Sequence, residues 1–170
     1  DKELKPLKRG IRVLFVPEFA GTYAWLADDK HAPHKILAGL NLDMVGGRQI
    51  KGVGPLTLSA QPHAAPSIVT DLAMLSFDEI KNSAPSLNPA FNVPMFNLLQ
   101  NNFSAGSDHQ VLSDPTINIP SPMLGQWPDR HYHSSADTEA CLDPDILHKS
   151  ASLAASYTYS LANLETDHVF

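Results

Sequence analysis

Residues 11–16, Ile-Arg-Val-Leu-Phe-Val, form a short apolar, β-branched-rich run closed by Gly10 and Pro17. Such a run predicts a buried strand, with Glu18 just past its C-terminal end. Residues 19–26 then open a helix, with Thr22 available as a cap. Residues 36–46 are the second strong strand, an apolar run interrupted by Asp43. The glycines at 46–47 and 52–54 predict a hairpin turn rather than a phosphate cradle, because neither a Lys-Ser/Thr ending nor a helix follows. Residues 56–59 read as a short strand. Over 65–81, Ile68, Leu72 and Leu75 recur at helical spacing with Val69 and Phe77 beside them, and Pro66 suits a first turn.

The second half is more broken. Residues 82–100 are rich in Pro and Asn, with Phe91, Met95, Phe96, Leu98 and Leu99 spaced among them. They read either as an irregular rim loop, covering 83–102, or as a short edge strand. Residues 103–112 begin small and turn into a short helix, and Met123-Leu124 predicts a short strand. Asp143-Pro144 opens the last helix, with Asp as cap and Pro at the first position. Ile146, Leu147, Leu153, Ala154, Tyr157, Leu161 and Leu164 make its apolar stripe, which is core packing and carries no chemistry. Strands alternating with helices predict an α/β sandwich on a mainly parallel sheet.

A length of 170 residues suits one domain with a real core. The net charge of −6, with no sustained run of Lys or Arg, disfavours nucleic acid or an anionic membrane surface as partner. No apolar run reaches the length of a membrane span. The single cysteine, Cys141, excludes an internal disulfide. The first nine residues carry neither a signal-peptide pattern nor an initiator Met, so we expect the chain to begin within a longer protein.

Chemistry concentrates at the strand ends. Glu18 is either a functional carboxylate, at the position where open α/β sheets place such groups, or a solvated strand end. Asp43 is the most informative single residue. A carboxylate inside an apolar strand is costly unless paired, hydrogen-bonded or bound to a cation, although it could instead cap the Gly46-Gly47 turn. His31 and His34 on a charged loop are a weaker metal candidate. Ser107, Asp108 and His109 suggest a hydrolase triad, but adjacent helical residues diverge, and the segment lacks the Gly-x-Ser-x-Gly elbow. Residues 127–138, Trp-Pro-Asp-Arg-His-Tyr-His-Ser-Ser-Ala-Asp-Thr, place His131 and His133 among aromatic rings with Asp129 and Asp137. This stretch is either a metal or proton-transfer site or a surface turn whose histidines bond locally. Glu18, Asp43, the Asp108-His109 pair and His133 all fall at strand ends or adjoining loops, so one shared site is a reasonable expectation.

These blocks also resemble a known family. Pro17-Glu18-Phe19-Ala20-Gly21-Thr22, Asn41-Leu42-Asp43-Met44-Val45-Gly46, Gly106-Ser107-Asp108-His109 and Tyr132-His133-Ser134-Ser135-Ala136-Asp137-Thr138 occur in the order seen in zinc aminopeptidases. These are the co-catalytic zinc exopeptidases related to glutamate carboxypeptidase and glutaminyl cyclase. The resemblance implies a three-layer α/β sandwich with a mainly parallel mixed sheet flanked by helices, incomplete at its N-terminal side. It implies that residues 1–170 are the C-terminal portion of a catalytic domain, to be completed by the remaining N-terminal part.

By the same resemblance Asp43 and His133 look like metal ligands and Glu18 like the general base. Asp108, His109, Tyr132 and Asp137 would support the site or line its rim. The implied cofactor is zinc, one or two ions in the complete enzyme, or none on this chain by itself, and the implied partner is a peptide substrate. The family has two consecutive glutamates where this chain has Glu18 and Phe19, which favours a one-zinc variant. The alternatives are an inactive zinc-peptidase-like binding or assembly module, and an aminoacyl cyclase or deacylase on the same fold.

Overall fold

A computed structural model of the chain describes residues 4–28, 35–83, 86–88, 93–94 and 97–165. His31 and His34, and the anchors Phe91, Met95 and Phe96, lie outside them. In chain order the elements are α1 (Ala20–Leu26), β1 (Asn41–Asp43), β2 (Leu56–Ser59), α2 (Val69–Ser83), β3 (Ser86–Asn88), β4 (Val93–Pro94), β5 (Leu98–Asn101), α3 (His109–Leu112), β6 (Met123–Gln126) and α4 (Pro144–Asn163). The main sheet has four strands in the order β1-β6-β2-β5, and β3 and β4 form a separate antiparallel pair. β1 runs parallel to β6 and β2 parallel to β5, while β2 and β6 are antiparallel. This is the expected α/β architecture, a mainly parallel mixed sheet flanked by helices.

Period-two alternation assigns the two faces of the sheet. Leu42, Leu124 and Leu58 share one register row and Asp43, Gly125 and Thr57 the next, so these two rows face opposite ways. The first face carries the core: Leu56, Leu58 and Leu124 pack with Val69, Ala73 and Phe77 of α2 and Leu153, Tyr157 and Leu161 of α4. Burying side chains of this size contributes about 1.5–3 kcal/mol each. Leu42 shares that face, but at the sheet edge it stays 45% exposed.

The last helix begins as its sequence predicts. Pro144 occupies the first turn, and the Asp143 carboxylate accepts the N–H of Asp145 at 2.9 Å. Its polar residues are not idle, however. Ser150 Oγ donates to the Val45 carbonyl at 2.6 Å, and the buried Tyr157 hydroxyl donates to the Gly39 carbonyl at 2.9 Å. Burial also raises the pKa of Tyr157, so the hydroxyl keeps its proton. The Asp143 N–H adds a third bond, to Gly46 O at 2.8 Å. Through these bonds α4 grips residues 39–46 at both ends of β1 and fixes the strand that carries Asp43.

Three sequence expectations are corrected. Residues 11–16 are not a buried strand. They join no sheet, and Val13 is 71% and Phe15 95% exposed. A strand exists only as part of a ladder, and none of the described neighbours supplies one. The segment is instead tied down upstream, where Tyr159 Oη donates to Lys5 O at 3.2 Å and Arg9 donates to Leu164 O at 2.6 Å, with an exposed Lys8–Glu165 ion pair beside them.

Residues 46–54 are not a hairpin turn. β6 lies between β1 and β2, so the connection crosses over it, and Gly47 and Val53 pair instead with Leu142 and Asp129. Of the predicted 36–46 strand, only Asn41–Asp43 joins the sheet. The stretch read as rim loop or edge strand contributes β5, an edge strand of the main sheet.

Candidate active site

Glu18, Asp43 and Asp108 line one open cavity of about 170 Å³, together with Val16, Asn41, Leu42 and Ser107. Residues from three separate blocks of sequence therefore meet at the β1 edge of the sheet. Asp43 faces away from the core, so its carboxylate avoids the cost of burial in apolar surroundings.

The loop holding Glu18 is a γ-turn of the rare sign. Phe19 sits at its centre with φ 55° and ψ −63°. The Ala20 N–H donates across the turn to the Glu18 carbonyl at 2.6 Å, and the Gly21 and Tyr23 N–H groups continue into α1. A non-glycine residue in this region costs roughly 1–3 kcal/mol and persists only where its surroundings impose it. Here the restraint is the Asp108 carboxylate, whose Oδ1 accepts the Phe19 N–H at 2.8 Å. A hydrogen bond to a charged acceptor contributes about 1.5–3 kcal/mol, enough to offset the strain. Met44 (φ 53°) and His133 (φ 52°) share the positive-φ backbone. Of the four non-glycine residues with positive φ among the described residues, three thus flank or occupy candidate site positions.

The Ser107-Asp108-His109 block does not act as a triad. Ser107 Oγ accepts from Asn41 Nδ2 at 2.8 Å, Asp108 binds the Phe19 N–H, and His109 turns inward. The His109 imidazole is fully buried, with Phe103 edge-on at 5.4 Å. Its Nε2 lies 2.7 Å from the Ser104 carbonyl, which can only accept, so Nε2 carries the proton and Nδ1 is left without a partner. Burial lowers the His109 pKa, with the Ser104 carbonyl and then the carboxylates of Asp43 and Asp108 opposing the shift.

The native state holds a neutral ring while the unfolded chain protonates near 6.5, so this contribution to stability is present above that pH and is lost as pH falls through it. Melting temperature should therefore decline on acidification below 6.5. His109→Gln should flatten that limb, which has a slope of at most about 1.4 kcal/mol per pH unit. Thermal unfolding across this range checks it; an equal slope in the variant would contradict it.

The 127–138 loop is bonded to residues 52–54 instead. Gly54 N donates to Pro128 O at 2.6 Å and Arg130 N to Gly52 O at 2.8 Å, around the Val53–Asp129 bridge. The Asp129 carboxylate accepts the His131 N–H at 2.7 Å, an Asx-type local bond of the kind the surface-turn reading predicts. The His133 ring stacks on Tyr132 at 3.7 Å and 19°, and Trp127 meets Tyr132 edge-on at 4.9 Å. A larger cavity of about 230 Å³ lies beside this loop, with Arg48, Asp129, His131 and Cys141 in its wall. It contains none of Glu18, Asp43 and Asp108.

The structure thus brings Glu18, Asp43 and Asp108 together with Ser107 and places His109 just behind them. Tyr132, His133 and Asp137 lie on the separate loop and do not line that cavity. Among the described residues no three His, Cys, Asp or Glu side chains converge to hold a metal ion. The carboxylate oxygens of Asp43 suit a divalent cation, and the described residues supply only part of a cage. Asn41 and the Phe19 N–H escaped the sequence reading. Asn41 carried a usable signal, two positions before Asp43 on the same strand face, whereas a backbone N–H carries none.

The profile of peptidase family M28 matches residues 2–158. A protein from Clostridium acetobutylicum classed as a peptidase shares the fold with a TM-score of 0.64 at 21% identity, covering 86% of this chain and 31% of its own. An aminopeptidase from Aneurinibacillus sp. strain AM-1 does so with a TM-score of 0.58 at 21% identity, covering 83% of this chain and 30% of its own. The chain spans about a third of the length of either structure. No curated protein matches it. The matching profile accounts for nearly all of the sequence, including every block that lines the carboxylate cavity, and the chain belongs to peptidase family M28.

Proposed function

We propose that this chain forms part of the catalytic domain of a zinc-dependent exopeptidase that removes residues from the free N-terminus of peptides. The observation that carries the reading is the cavity in which Glu18 and Asp43 meet, with rare backbone conformations at Phe19 and Met44 next to them. Asp43 and His133 are the residues of this chain that would hold the metal, and Glu18 is the general base. When bound, zinc lowers the pKa of its water toward about 7 and polarises the scissile carbonyl. Glu18 takes the proton of the attacking water and delivers it to the leaving amine, at the mouth of an open cavity that a peptide end can reach. The exposed apolar run at 11–16 and the edge of β1 provide a surface for the remaining, N-terminal part of the catalytic domain.

The test is metal removal from the full polypeptide that carries these residues. Hydrolysis of aminoacyl anilides should vanish on dialysis against a chelator and return with stoichiometric zinc. A polypeptide that binds no metal and cleaves nothing would be a binding or assembly module. Cyclised or deacylated products would assign it to the aminoacyl cyclases or deacylases.

A further inference from the structure

Asp108 occupies the N-cap position of α3, yet its side chain makes no cap hydrogen bond there. An aspartate at that position ordinarily satisfies the first free N–H groups of its own helix. This one instead reaches a backbone N–H 89 positions away, that of Phe19. The residue before it makes a parallel connection, Ser107 Oγ accepting from Asn41 on the strand that bears Asp43. Two adjacent side chains thus hold the two segments that carry Glu18 and Asp43, and of these six residues all but Phe19 line the one cavity.

We propose that Asp108 is a positioning residue for Glu18: by accepting the Phe19 N–H it locks the γ-turn and fixes the direction in which the Glu18 carboxylate points. Phe19 then has a task of its own beside the candidate base. Its peptide unit, not its side chain, is the functional part. The role assigned to Asp108 rests on the reading of Glu18 as the general base, whereas the hydrogen bond itself does not.

The experiment separates the two. In the isotopically labelled chain, the Phe19 amide proton should be protected from hydrogen exchange. In Asp108→Asn, whose side-chain oxygen still accepts, the amide should stay protected. In Asp108→Ala, its hydrogen exchange should accelerate at least tenfold. In the full polypeptide, Asp108→Ala should lower kcat by about 10- to 100-fold with KM within twofold, the effect of a misdirected group rather than weakened binding, and Asp108→Asn should restore most of it. An unaltered Phe19 amide in Asp108→Ala would overturn the proposal, as would a freed amide with unchanged kcat. A fully active Glu18→Gln variant, with the Phe19 amide still answering to Asp108, would overturn the role of Glu18 while leaving the clamp in place.

Discussion

Glu18→Gln is expected to lower kcat of the complete enzyme by about 10²- to 10⁴-fold, the range general-base catalysis supplies. The substitution keeps the shape and the hydrogen-bonding oxygen of the side chain and removes its ability to accept a proton. KM and zinc content should stay close to wild type, because the proposed ligands Asp43 and His133 are untouched. The γ-turn should survive as well, since its bonds are made by the backbone of residues 18–20 and by Asp108. A loss confined to kcat is the signature of an interaction made in the transition state. Retained turnover would refute the assignment.

Gly54→Ala is expected to destabilise the fold by about 3 kcal/mol, at the upper end of ordinary overpacking. A Cβ at Gly54 would fall inside the contact distance of the Trp127 carbonyl and only 2.9 Å from Pro128 N. Both are backbone atoms, so no rotamer change relieves the clash. The strands of contact around it must part, and with them go the Gly54–Pro128 and Arg130–Gly52 hydrogen bonds. For a chain of this length, 3 kcal/mol corresponds to a fall in Tm of roughly 6–12 °C. Because Trp127 is edge-stacked on Tyr132, its near-ultraviolet circular dichroism should change in step. A Tm within about 2 °C of wild type would show that the loop does not depend on this close approach.

The parts of the fold that were legible in the sequence are those set by local chemistry. Asp143-Pro144 opened a helix because capping and the fixed proline φ act within one turn. Asp43 was marked by its cost, a carboxylate among Ile36, Leu37, Leu40 and Val45, and it does line the cavity with Glu18. Residues 11–16 misled because side-chain pattern reports a propensity to be buried and says nothing about whether a neighbour is there to bury them. The glycines at 46–54 misled because turn residues permit a reversal without naming what it goes around. Here a strand some 70 residues downstream, β6, fills the gap between β1 and β2. The Asp108 contact was invisible for a third reason, since its partner is a peptide N–H that every residue except proline possesses.

That placement of β6 also bears on how the protein is made. β6 lies between β1 and β2, and it is the last strand among the described residues. At typical ribosomal speeds of about 5–20 residues per second, β1 and β2 wait several seconds in the nascent polypeptide before their shared neighbour has been synthesised. Until then, among the described residues, β1 has no partner in the sheet and β2 has only β5. Slow translation or early termination would thus leave sticky, half-assembled species that need a chaperone.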